Sequence, residues 1–257
     1  MKVLLYAAAS SPRLQYICRF IFVELLKVEF SFTSEIENFV SQSGVKIKYT
    51  NAVNTNGGFT IGDCGLLFES EIKEQDTTCF EVNNYKAFFK IANADFPFDL
   101  FAASFYLLSR YEEYLPYQKD MYGRYAHENS LAFRENFLQL PLINIWVKDF
   151  AIQLQTAFPS FSFQPSAFSF LPTYDIDMAF SYRHKGLLRN AGSFIKSPSM
   201  ERIKVLAGFK QDPFDCFEWL NKLHEEYHLR PVYFFLMAAK NGLHDKIFYR
   251  IKKQCGN

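Results

Sequence analysis

At 257 residues the chain is long enough for two modest domains or one large one, and thirty Phe within an aromatic share of 18 % supply ample core material. A formal net charge of +1, with acids and bases nearly balanced, argues against the clustered basic face of a nucleic-acid binder. No stretch reaches the ~20 consecutive apolar residues of a membrane-spanning helix.

The five cysteines, Cys18, Cys64, Cys79, Cys216 and Cys255, are scattered and include no C-x-x-C pair. That speaks against a zinc knuckle or a redox motif, and reads as free buried thiols in a reducing, cytoplasmic compartment. The opening run, Met1 to Ser10, faintly imitates a leader peptide but is better explained as a first strand, Lys2–Ala8.

Ser10, Ser11 and Pro12 then cap a helix whose apolar positions Leu14, Ile17, Cys18, Ile21, Phe22, Leu25 and Leu26 follow the helical period. Short strands are expected at 45–50, 65–69 and 78–82. The cluster Asn54-Thr55-Asn56-Gly57-Gly58 reads as a turn, because it lacks the Gly-x-x-x-x-Gly-Lys pattern of a phosphate loop. Asp95 to Asp99 opens the strongest helix of the first half, which is expected to run to the stop at Leu115-Pro116. Its end carries Tyr111-Glu112-Glu113-Tyr114, read as packed Tyr rings. A polar, Tyr-rich loop, 121–127, contains a lone His127, read as exposed. Another helix spans 141–158, and 160–166 is the linker to a second domain. No catalytic constellation appears in this first domain, 1–160.

The second domain, 166–257, opens on an aromatic, alternating approach to Thr173-Tyr174-Asp175-Ile176-Asp177. In a strand, successive side chains point to opposite faces, so Thr173, Asp175 and Asp177 share one face and Tyr174 and Ile176 take the other. The two carboxylates would lie roughly 6–7 Å apart. Such a pair suits a metal ligand beside a general base, or a metal clamped by both, because a cation relieves their repulsion. The apolar residues ahead of the pair predict a buried strand delivering two acids at its C-terminal end. Arg183 and His184 follow closely and are candidates to touch substrate.

These residues resemble the first motif of the polysaccharide deacetylase family of carbohydrate esterases, usually Thr-Phe-Asp-Asp-Gly. Pro231-Val232-Tyr233-Phe234-Phe235-Leu236 resembles that family's second strand. The whole is similar to a bacterial subgroup in which an uncharacterised N-terminal domain precedes the deacetylase-like barrel. The resemblance implies an α/β protein: a mixed α/β N-terminal domain followed by the first βα units of a partial deacetylase-type β/α barrel. It implies a metal-dependent hydrolase that removes acetyl groups from a glycan substrate. Asp175 matches the catalytic base and Asp177 the ligand of a divalent metal, zinc or similar. Here an Ile separates the two acids and no Gly follows, which leaves the swapped assignment open. The family's His-x-x-x-His ligand pair has no counterpart after Met237. A barrel needs about 200 residues or more, so the chain is expected to be a fragment holding the first part of one, without activity by itself.

Further on, 200–207 reads as a helix, Asp212-Pro213 as the cap of a helix running to Tyr227, 232–237 as a strand and 245–253 as a basic helix. At the end of the second of these segments His224-Glu225-Glu226-Tyr227-His228 matches the H-E-x-x-H helix of zinc peptidases. No third ligand follows at the required spacing, since Pro231 and Phe234 occupy the Gly and His positions of the extended motif. Both His are therefore expected on a solvated helix face. The alternative to the deacetylase is a non-enzymatic carbohydrate-binding or scaffolding protein with a degenerate barrel, and the zinc peptidase ranks third.

Overall fold

The first strand, β1 (Lys2–Ala7), alternates between exposed or half-buried residues and the fully buried Val3, Leu5 and Ala7. It forms the centre of a sheet because its neighbours on both sides, β2 (Glu29–Thr33) and β3 (Val45–Tyr49), pair with it in parallel. A fourth strand, β4 (Phe59–Ile61), extends the sheet beyond β3 to give the order β2-β1-β3-β4, parallel throughout. The computed structural model describes residues 2–51, 57–163, 169–176, 179–183 and 199–235. The chain divides into two units, Met1–Ser166 and Ala167–Asn257.

In the first unit, Ser11 caps helix α1 (Pro12–Cys18), its hydroxyl accepting from the Leu14 N–H, with Pro12 at the first helical position. The expected single long helix changes register at Arg19. Residues Arg19–Leu25 continue as a π-helix, closed by the Leu26 N–H donating to the Ile21 carbonyl. The wider turn keeps Ile21 and Phe22 inward, both fully buried. Helix α2 (Ile36–Ser41) follows β2 and buries Phe39.

A hairpin, β5 (Phe80–Val82) and β6 (Tyr85–Ala87), closes on Asn83 and Asn84, both at positive φ. That two-residue geometry matches the right-handed twist of the strands. Helix α3 (Leu100–Leu108) is apolar nearly all round, and buries Ser104 as well as its hydrophobic residues. It ends earlier than the sequence predicts: Arg110 takes a left-handed conformation, and Tyr111–Tyr114 form a separate 3-10 turn in which buried Tyr111 stacks on Tyr106. The short α4 (Leu131–Arg134) leads to α5 (Leu142–Ala157). The core joining these elements is aromatic, with Phe22, Phe96, Phe101 and Phe150 in edge-to-face contact. Trp146 packs against Phe88 and Phe98 and donates its indole N–H to the Lys86 carbonyl.

Two expectations are corrected here. Residues 65–69 are no strand; Leu66–Phe68 form a 3-10 turn entered through Gly65 at φ 93°. The cysteines are not uniformly buried: Cys18 is, whereas Cys64 and Cys216 are exposed. The turn cluster 54–58 lies mostly outside the described residues.

In the second unit, β7 (Thr173–Ile176) pairs in parallel with β8 (Val232–Phe235). Between them run α6 (Met200–Leu206), capped by Ser199, and α7 (Phe217–Glu226). This is a strand–helix–strand rhythm, and no barrel is formed by the described residues. The predicted helix 245–253 lies outside them.

One buried carboxylate ties the first unit together. Asp99 Oδ1 caps α3 at the Ala102 N–H (2.9 Å), while Oδ2 accepts from the Tyr49 hydroxyl (2.7 Å) and the Cys64 N–H (2.9 Å). Burial pushes its pKa up to about 6, although those donors pull it down. The folded state therefore holds this proton more tightly than the unfolded chain. The stabilisation is complete below the ordinary value of 3.8 and is lost as pH rises through about 6. That gap is worth about 3 kcal/mol. Asp99→Asn is expected to flatten the unfolding free energy across this window relative to wild type, measured by urea titration at several pH values. Gly62 makes a second test, because a Cβ there would overlap Ile91 Cγ2 and Asn51 Oδ1. Gly62→Ala should cost about 1–3 kcal/mol in the same titration.

Candidate functional site

Open parallel sheets bind ligands beyond the C-terminal ends of their strands, where the strand order reverses. In the first unit that point lies between β1 and β3. It is filled by the protein itself. Leu66 and Leu67 are fully buried, the Ser11 hydroxyl donates to the Leu67 carbonyl (2.5 Å) and Arg13 Nη1 donates to the Leu66 carbonyl (2.9 Å). Asp99 occupies the adjacent polar position. The cluster of Asp99, Tyr49 and Cys64 is thus built for cohesion. Cys64 is exposed as a residue, but its thiol sits in partly desolvated surroundings beside Asp99. That desolvation, reinforced by the Asp99 charge, raises its pKa above the ordinary value and disfavours the nucleophilic thiolate.

In the second unit the strand geometry expected from the sequence is found at β7. Thr173 and Asp175 are exposed on one face, and Tyr174 and Ile176 are half-buried on the other. In register, Asp175 sits beside Phe234 of β8. Asp177 and His184 lie outside the described residues. The strand is less buried than predicted: Phe170 and Leu171, just ahead of it, are 62 % and 56 % exposed. The reason is that, among the described residues, β7 has a single strand neighbour.

The covered face of β7 rests on an aromatic stack. Tyr174 lies over Tyr233, ring centroids 5.2 Å apart and nearly parallel. The Tyr174 hydroxyl is 2.9 Å from His224 Nε2 on α7. His224 is 4 % exposed, contrary to the solvated face expected for it. Its ring serves the packing of α7 on the strand pair, and its Nδ1 has no hydrogen-bond partner among the described residues.

His228, four residues on, is exposed and does not share that face. The helix stops at Glu226, and His228 enters the left-handed region at φ 52°. Its N–H donates to the Glu225 carbonyl and the Leu229 N–H to the His224 carbonyl, a Schellman stop. The H-E-x-x-H spacing is therefore broken by the helix end, and His224 and His228 do not share a helix face. Among the described residues no group of three or more His, Cys, Asp or Glu is placed to hold a metal ion.

What the sequence analysis missed is Asp212. It does not cap α7, which begins at Phe217 behind Cys216. Its carboxylate instead collects the N–H groups of Ser181 (2.7 Å), Tyr182 (2.7 Å), Arg183 (3.0 Å) and Phe214 (3.1 Å). Burial by itself would raise its pKa, but the four N–H donors outweigh it and hold the carboxyl below the usual range. Asp212 thereby fixes the segment that follows the acidic pair. Phe180 packs edge-on against Phe217, and the Arg202 guanidinium lies over Tyr182. Arg183, a candidate for substrate contact, is paired with Asp215 at 3.6 Å, so any ligand must compete with that pair. The Asp-Pro dipeptide was a signal for a turn, but nothing local marked the distant N–H groups it holds.

Residues 3–159 match the model of a family of unknown function (DUF7033), and the chain belongs to that family. The match covers the first unit and stops short of β7. No curated protein and no solved structure matches.

The Asp212 clamp makes a direct prediction. Replacing it with Ala orphans three N–H groups in the 181–183 segment and is expected to cost about 1–3 kcal/mol. Hydrogen exchange at the Ser181, Tyr182 and Arg183 amides should accelerate in Asp212→Ala. Because the folded pKa is depressed, the clamp holds above the ordinary value of 3.8 and is lost as pH falls through the folded value.

Proposed function

We propose that this protein is a metal-dependent hydrolase that removes acetyl groups from a glycan, with its second unit supplying the opening strands of a polysaccharide deacetylase-like β/α barrel. The observation that supports this most is the β7–β8 parallel pair. It presents Asp175 on an open strand face and is followed by a segment clamped in place by Asp212. A fixed loop directly after the acidic pair is what a reaction centre at the end of a strand requires.

In this reading Asp175 is the general base. It takes a proton from the attacking water as the water oxygen bonds to the acetyl carbon, and returns that proton to the sugar nitrogen or oxygen as the bond from that carbon breaks, giving acetate and the free amine or hydroxyl. The described residues do not by themselves form a metal site. A divalent ion, zinc or similar, would be held in part by Asp177 and would polarise the acetyl carbonyl. Arg183 could reach substrate only by leaving Asp215.

The test is acetate release from N-acetylated and O-acetylated oligosaccharides by the protein as its gene encodes it, supplied with zinc. Asp175→Asn is expected to lower the rate by ~100-fold or more. His228→Ala, at the exposed end of α7, should leave it unchanged. Absence of acetate release on both substrate classes, with metal shown to be bound, would overturn the assignment.

A further inference from the structure

The first unit contains a cleft of about 1170 Å³ far from β7 in sequence, walled by residues between Glu74 and Arg134. We infer that it is a separate carbohydrate-binding site, one that takes several units of a neutral or amino-substituted oligosaccharide.

Its size comes first. Sites for compact small molecules occupy roughly 300–1,000 Å³, so this cleft suits an extended ligand. Its lining comes second. Tyr106, Tyr117, Tyr122 and Tyr125 all face it, with polar side chains such as Gln118 between them. Tyrosine offers an apolar ring face and a hydroxyl at its tip. A sugar ring is built the same way, with C–H bonds on its faces and hydroxyls at its rim. Tyr117 and Tyr125 stand 5.1 Å apart at a 57° tilt, forming an angled aromatic corner, while Tyr122 is 71 % exposed. The charge balance comes third. The acids Glu74, Glu112, Asp120 and Glu128 outnumber Lys119 and Arg134, which disfavours polyanions, nucleic acids included.

The cleft is also held in shape before any ligand arrives. Its outer wall is a turn between Lys119 and Tyr125, which bridge as antiparallel partners. The Asp120 carboxylate accepts from the Tyr122 and Arg124 N–H groups inside that turn. The Asn129 side chain accepts from the Gln118 N–H and donates to the Gln118 carbonyl, locking the base of the turn. Such pre-ordering lowers the entropy cost of binding. One group is left unsatisfied: the Tyr125 hydroxyl is buried and has no hydrogen-bond partner among the described residues. Burial, with Glu112 adding to it, raises its pKa to about 12, so it stays a neutral donor. An unmet buried hydroxyl is costly, and a small opening of the cleft wall on binding would let a sugar hydroxyl satisfy it.

The choice of an N-acetylhexosamine probe rests on the function proposed above; the cleft itself does not. The experiment is calorimetric titration of the intact chain with an N-acetylglucosamine tetrasaccharide and with its fully deacetylated counterpart, in the presence of a chelator. At least one should bind. Tyr117→Ala and Tyr122→Ala should each weaken binding at least tenfold, and Tyr125→Phe should weaken it measurably. Tyr114→Ala, exposed but outside the cleft, should leave it unchanged, and thermal unfolding should show all four variants folded. Binding that survives both the chelator and Asp175→Asn places the site apart from the hydrolytic centre, so failure of the deacetylase assignment leaves this one standing. No binding of either sugar at millimolar concentration, binding unaffected by the Tyr117 and Tyr122 changes, or occupation of the cleft by peptides in preference to sugars overturns it.

Discussion

The first unit depends on the Asp99 carboxylate. Three segments distant in sequence meet on its two oxygens: the end of β3 through Tyr49, the turn after β4 through Cys64, and the start of α3 through Ala102. The Tyr49 and Ala102 donors would otherwise be buried without a partner, a cost of about 1–3 kcal/mol per group, and the Cys64 N–H is part-buried. The carboxylate is itself fully buried, and its raised pKa records the cost of placing an ionisable group there. The same knot closes the C-terminal edge of the sheet, the place where a sheet of this topology usually leaves room for a ligand. The open cleft of this unit lies instead along the Tyr-rich loop beyond α3.

The second unit uses the same device on a smaller scale. Asp212 gathers four N–H groups from the segment after β7 and from its own turn, while Tyr174, Tyr233 and His224 make the covered side of the strand pair. The two carboxylates have opposite pKa directions for one physical reason. At Asp99 desolvation exceeds the hydrogen bonds; at Asp212 four N–H donors exceed desolvation. Asp99 is thus a cohesive group that loosens as pH rises, and Asp212 a clamp that fails in acid. The exposed Phe234 and Phe235 show how little of this strand pair is covered by the described residues.

Local patterns carried the parts of this structure whose causes are local. The cap at Ser11-Pro12, the strand at Lys2, the helix opened by Asp99 and the alternation of Thr173 and Asp175 all follow from neighbouring residues. Short strands were legible only in part: those expected at 45–50 and 78–82 are β3 and β5, whereas β2 and β4, which no local pattern marked, gain their strand character from the sheet edge they join, and Gly65 turned an expected strand at 65–69 into a 3-10 turn. The Asn83-Asn84 turn of the hairpin carried a readable signal, both residues being tolerant of positive φ.

Composition and spacing by themselves determined that this is an α/β chain with an acidic strand motif in its second half, because periodicity and capping act over a few residues. Tertiary structure alone decided what the isolated polar residues do. His224 and His228 match a zinc motif letter by letter, yet a Schellman stop turns one outward and a tyrosine takes the other. Asp212 looks like a helix cap and serves a loop some thirty residues earlier. A side chain's partner is set by which backbone donors the fold brings within about 3 Å, and no local pattern contains that distance.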